Sequence, residues 1–147
     1  MKKTLIITLM TASLYFGCSD SDEEPTLFAV EQCRNDGQTR FCTLILKVVS
    51  VRLEDQQGNP IALDRFTVAG DGYFAEQTPS EWQQNNGQYT IFSDIDAERI
   101  EVGGSHFLFR GIIDERVVVN EVYTVGFDCC HVFLQSDNDT TRVNIPL

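Results

Sequence analysis

After Thr26 this chain reads as short apolar-rich runs separated by polar turns, some alternating with a period of two, and no stretch keeps helical periodicity over three turns. Leu27–Glu31 reads as a first short strand, and Arg34-Asn-Asp-Gly-Gln38 as a turn, with Cys33 and Cys42 symmetric about it as across a hairpin. Phe41–Glu54 reads as one long strand. Leu44, Leu46 and Val48 share a face, then the parity switches to Val49, Val51 and Leu53, which calls for a bulge or a change of buried face. After the turn Asp55-Gln-Gln-Gly-Asn-Pro60, Ile61–Val68 is predicted as a strand and Ala69–Gly87 as irregular. Within that segment Thr78-Pro79-Ser80-Glu81 carries helix-start chemistry, and Asn85-Asn86-Gly87 stops it, so one short helical turn is expected near 79–85. Gln88–Ser93, Ser105–Ile113, Arg116–Val125, Cys129–Gln135 and Thr141–Ile145 complete the strands. The fold expected is an all-β, seven- to eight-stranded antiparallel sandwich, transthyretin-like or immunoglobulin-like.

The first 26 residues follow a different pattern. Lys2 and Lys3 precede the apolar stretch Thr4–Phe16, which is too short to span a bilayer in a folded protein, and Gly17-Cys18 follows. This order resembles a bacterial lipobox. The resemblance implies a signal peptide over residues 1–17, cleavage before Cys18, and a diacylglycerol thioether plus an acylated amine (palmitate-type chains) at Cys18, a firm anchor. Residues 18–26 form the lipidated cysteine and an acidic tether with too little apolar area to offset ordering. Its acidic run resembles the export tag of outer-membrane lipoproteins. An outer-membrane location is expected, with the periplasmic and cell-surface sides both open. Residues 27–147 make one β-sandwich domain.

Removing 17 of the 147 residues leaves 130, enough for one real core. The leader holds two of the 11 basic residues and none of the 22 acidic ones, so the mature chain carries 9 against 22, a net −13. Lys47 is its one lysine. A nucleic-acid partner needs a basic footprint, and the charge excludes it.

Val51-Arg-Leu-Glu-Asp55, Gly58-Asn-Pro-Ile61 and Phe66-Thr-Val68 together resemble the opening hairpin of carboxypeptidase regulatory-like domains, which are transthyretin-like sandwiches. Phe109-Arg-Gly111 with Glu121–Val132 is similar to the end of small uncharacterised bacterial lipoproteins with an Asp-Cys-Cys-His step in a prealbumin-type domain. The resemblance supports fold and anchor and implies no activity.

Five cysteines become four once Cys18 is lipidated, an even set in an oxidising compartment. In a strand the side chains of Cys129 and Cys130 point apart, so each is expected to pair with one of Cys33 and Cys42. Closing a loop of roughly 90 residues contributes on the order of 4 kcal/mol. The alternatives are a Cys33–Cys42 bond, or a zinc site from Cys33, Cys42 and Cys130 (or Cys129) with His131. His131 is expected to be fixed by a backbone or carboxylate hydrogen bond, and His106 to be a polar residue on a strand face. Asp94, Asp96 and Glu98 have the spacing of a calcium loop, but Arg99 stands where that loop needs Gly, so a solvated turn is expected.

No nucleophile motif, zinc motif or phosphate loop is present in the sequence, and no enzyme activity, catalytic residue or cofactor is expected. The function expected is a non-catalytic binding or accessory module for an envelope protein or glycan, with Tyr73, Phe74 and Trp82 as candidate contacts. A structural or assembly protein of the outer membrane is the alternative, and a metal-binding or hydrolytic protein a further one.

Overall fold

The computed structural model describes residues 28–70, 72–135 and 140–142. The expected signal peptide, Cys18 and tether lie outside the described residues. The elements are α1 (Ala29–Asn35), β1 (Val48–Glu54), β2 (Arg65–Gly70), β3 (Tyr73–Gln77), α2 (Glu81–Asn86), β4 (Gln88–Ser93), a 3-10 helix (Asp94–Arg99), β5 (Ser105–Ile113), β6 (Arg116–Phe127), β7 (Val132–Leu134) and β8 (Thr140–Arg142). They form two sheets, ordered β4-β1-β8 and β3-β2-β5-β6-β7. The architecture is a β-sandwich with short helices. Pairing is antiparallel except between β1 and β8, which is parallel, so the fully antiparallel expectation is corrected. An immunoglobulin sandwich places its first two strands in one sheet, whereas β1 and β2 lie in different sheets here.

The inner faces follow the period of two. Val49, Val51 and Leu53 of β1 face Phe66 and Val68 of β2, with Tyr89 and Ile91, Phe107 and Phe109, Tyr123 and Val125 filling the layer. Phe66 meets Tyr89 edge-on at 5.4 Å, and Phe92 lies 4.7 Å from Phe107, so aromatic pairs join the two sheets, while Phe66 also stacks on Phe109 within its own sheet. A bulge opposite Val49 and Ser50 makes Ile91 the extra residue in β4, and this lets the consecutive Ile91 and Phe92 both turn inward.

Gln88–Ser93 and Ser105–Ile113 match their expected strands, and β6 runs two residues further than expected. Other expectations are corrected. Of the expected strand Leu27–Glu31, the described residues Phe28–Glu31 form none: Phe28 makes one bridge to Glu101, and Ala29–Asn35 is helical, rich in good helix formers and held by Ala29 N–H to Ile100 O at 2.8 Å. Cys33 and Cys42 therefore do not face each other across a hairpin. The long strand Phe41–Glu54 begins only at Val48. Its neighbour β4 ends at Ser93, and Asp94 then takes Lys47 N–H with its carboxylate at 2.8 Å, replacing the ladder. The parity switch after Val48 thus marks entry into the sheet.

Ile61–Val68 is a strand only from Arg65. The preceding residues cross between sheets, and the buried Tyr89 hydroxyl serves their backbone, accepting from Leu63 N–H at 2.9 Å and donating to Ile61 O at 2.6 Å. The Gly58-Asn59-Pro60 turn accordingly joins two sheets and closes no hairpin, apart from one bridge between Glu54 and Pro60. Ala69–Gly87 is not irregular throughout, since Tyr73–Gln77 pairs with β2. The short helix is present, with Ser80 as its N-cap in a capping box with Gln83, and Gly87 closing it at φ 63°. Thr78 takes no part in the cap. Cys129–Gln135 shrinks to Val132–Leu134, because Asp128–His131 forms the loop of the β6–β7 hairpin. Of the last expected strand, Thr141–Ile145, only Thr141 and Arg142 fall among the described residues, within β8.

Candidate functional site

The β6–β7 loop gathers most of the chemistry. Asp128 Oδ1 accepts Cys130 N–H at 2.9 Å and His131 N–H at 2.7 Å, and Asp128 N–H donates to His131 O at 3.1 Å. Cys129 takes the left-handed φ of 74° inside this tight loop. Burial raises the Asp128 carboxyl pKa, but the two loop N–H groups and the His131 ring outweigh it and hold the carboxyl below its ordinary value.

Two disulfides leave the loop, Cys33–Cys129 and Cys42–Cys130, with Cα separations of 5.4 and 5.2 Å. Each late cysteine pairs with one early cysteine, as expected. All four sulfurs are engaged, so no thiolate remains for the zinc alternative of Cys33, Cys42 and Cys130 (or Cys129) with His131. The bonds fasten α1 and the segment leading to β1 onto adjacent residues of one loop.

His131 is held as expected, by a carboxylate. Its Nδ1 lies 2.8 Å from Asp94 Oδ2, and its Nε2 lies 2.7 Å from Thr43 Oγ1. Asp94 also accepts Val132 N–H at 2.8 Å and Lys47 N–H at 2.8 Å, while its own N–H donates to Lys47 O. Burial pushes its pKa up, and the bonds from Val132, His131 and Lys47 more than reverse this, leaving it below the ordinary carboxylate value. Asp94 is therefore a junction of three elements, where the sequence suggested a solvated turn. Carboxylate, imidazole and hydroxyl stand in the order of an acyl-transfer relay. The two loop N–H groups beside the imidazole are taken by Asp128. A shallow groove of about 320 Å³ opens instead beside α1, lined by Phe28, Val30, Glu31, Arg34 and Glu98. The arrangement clamps the Thr43–Lys47 segment, by the Thr43 hydroxyl at one end and the Lys47 backbone at the other. Among the described residues no group of three His, Cys, Asp or Glu side chains is placed to hold a metal.

The aromatic candidates separate. Tyr73 is half-buried, its ring 5.1 Å from Phe92 and 5.7 Å from Phe107, so it belongs to the packing and is withdrawn from the contact set. Phe74 is 68% exposed on the outer face of the five-stranded sheet, opposite Ala69. Trp82 is 61% exposed on α2, and no described hydrogen bond uses its indole N–H. His106 is exposed on β5, its Nδ1 2.9 Å from Thr124 Oγ1. Sequence reasoning missed Thr43 and Asp94, whose roles arise only from contacts 88 and 37 residues away along the chain. It also missed the exposed apolar run Phe41, Leu44, Ile45 and Leu46, assigned there to a paired strand.

No protein-family model matches the chain, and neither a curated protein nor a solved structure shows significant similarity to it. Its topology places it among small β-sandwich domains with minor helices, and the site is defined by its own geometry.

Proposed function

We propose that this chain is a lipid-anchored envelope protein that binds a protein or glycan partner without catalysis, through exposed aromatic side chains. The observation that carries the reading is Trp82. A large aromatic residue, 61% exposed with its indole N–H free of described partners, stands on a helix capped at both ends by Ser80 and Gly87. Such a side chain is held ready to stack on an apolar sugar face or a protein surface while donating one hydrogen bond, at low ordering cost. Phe74 offers a second exposed ring on the adjoining sheet.

Attachment at Cys18, after removal of residues 1–17, is part of the same reading, as is residence at the outer membrane. Two disulfides favour export to an oxidising compartment, and the cation–apolar–Gly17-Cys18 order supplies the anchor chemistry. We assign the sandwich to the transthyretin-like group on the sequence resemblance of Val51–Asp55, Gly58–Ile61 and Phe66–Val68, whose turn carries the chain from one sheet to the other and closes no hairpin.

Crosslinking from intact cells tests the binding role. The expected result is a captured protein or polysaccharide that disappears in Trp82→Ala while the thermal midpoint stays unchanged. Capture of nothing beyond the anchor lipids would contradict it, and a structural or assembly role would take its place.

A further inference from the structure

Thr39–Leu46 is the least expected part of the surface. Among the described residues its backbone makes no ladder, and Phe41, Leu44, Ile45 and Leu46 are 95%, 105%, 65% and 54% exposed. The chain bends at Leu44, so that side chain stands at an apex. Yet the strap is fastened on both sides of the apex, by the Cys42–Cys130 bond and Thr43 to His131 before it and by Lys47 to Asp94 after it. A contiguous apolar surface presented this way marks an interaction site.

We propose that this strap is a lipid contact, inserting Phe41, Leu44 and Ile45 into the phospholipid surface from which the domain is hung. The inference rests on the anchor reading above and names what the domain touches beside its anchor. Two observations select a bilayer as the occupant. Charge is the first. The chain carries 22 acidic residues, but none lies between Asp36 and Glu54; Lys47 flanks the apolar run on one side, and on the other Arg40 stands in an ion pair with Asp36. Apolar side chains at the acyl boundary with cations at the phosphates is the pattern of an interfacial segment.

Reach is the second. Nine residues separate Cys18 from Phe28, a span of at most about 35 Å. Phe28 opens α1, and α1 is bonded through Cys33 to Cys129, next to the Cys130 that holds the strap. The exit of the tether and the apolar apex are thus fixed to adjacent residues of one loop. An unpaired backbone restricts the insertion to the interface, since the hydrocarbon core would leave its amides unsatisfied.

The test uses the whole mature chain without lipid, as Cys18→Ser, mixed with vesicles of phosphatidylcholine and phosphatidylglycerol. The chain is expected to sediment with the vesicles. Replacing Leu44→Asp and Ile45→Asp together should lower the partition by about tenfold or more, and Trp82→Ala should leave it unchanged. Both Asp variants lie at exposed positions, so an unchanged thermal midpoint certifies their fold. In Phe41→Trp, emission should shift to the blue and be quenched by brominated lipid. A chain that stays in the supernatant would overturn the proposal, as would sedimentation indifferent to the Asp pair. So would a soluble dimer with the strap protected between copies. The anchor itself is read separately, from the mass of the native protein, so its failure and the strap's are distinct results.

Discussion

His131 and Asp94 are 37 residues apart in sequence, and their side chains meet at 2.8 Å with both largely out of solvent. The contact ties the β6–β7 loop to the start of the 3-10 helix. Through Lys47 and Thr43 it also holds the approach to β1. Three stretches that the ladders leave unjoined are closed by one carboxylate.

Asp94→Asn should therefore destabilise the domain by about 2–3 kcal/mol, since charge-assisted bonds to Lys47, Val132 and His131 are weakened together. The pH dependence has a definite sign. Asp94 and Asp128 both have folded pKa values below the ordinary 3.8, so their contribution is complete above that value and is lost as pH falls through the lower folded values. The thermal midpoint should fall below about pH 4, and Asp94→Asn should flatten that fall. A wild-type fall left unchanged by Asp94→Asn would remove Asp94 from the account.

The two disulfides should act unequally in sequence of removal. Cys42–Cys130 is nested inside Cys33–Cys129, so with either bond present the other closes only a ring of about ten residues. Losing one should cost about 3 kcal/mol by loop entropy, and losing both about 7 kcal/mol. Urea unfolding of the Cys33→Ser/Cys129→Ser pair and of the four-serine variant reads the difference. Additive costs of equal size would contradict the nested geometry.

Tyr89→Phe removes a single oxygen and should cost about 1–3 kcal/mol, because it strands the buried Leu63 N–H and Ile61 carbonyl. The crossing from β1 to β2 should loosen first. Hydrogen exchange at Leu63 is the direct readout, with a marked loss of protection expected there and little change in β5.

The fold was legible where side-chain alternation and ladder pairing coincide. Gln88–Ser93 and Ser105–Ile113 alternate up to one bulge each, and each has a partner along its length. Thr43–Lys47 is as apolar and strand-prone, but β4 stops at Ser93, and strand propensity without a partner gives an exposed strap. Tyr73 read as exposed because its neighbours are polar and glycine-rich, while its packing comes from Phe92 and Phe107, distant in sequence. The cysteine partition was legible from the even count and the compartment, whereas the strand parity that argued it gives way to a loop turned at Cys129. Which early cysteine meets which late one was not, since that depends on the α1 position and the left-handed turn at Cys129. Asp94 stood out only as the first of three spaced acids in an expected solvated turn, because a junction residue is defined by what arrives around it.

The anchored state is the centre of this account, and the intact mass of the protein extracted from membranes tests it most directly. The expected mass is that of a polypeptide beginning at Cys18, increased by diacylglycerol and an amide-linked acyl chain, with Cys18→Ser released from the anchor. A soluble secreted species with an unmodified amino terminus would contradict it.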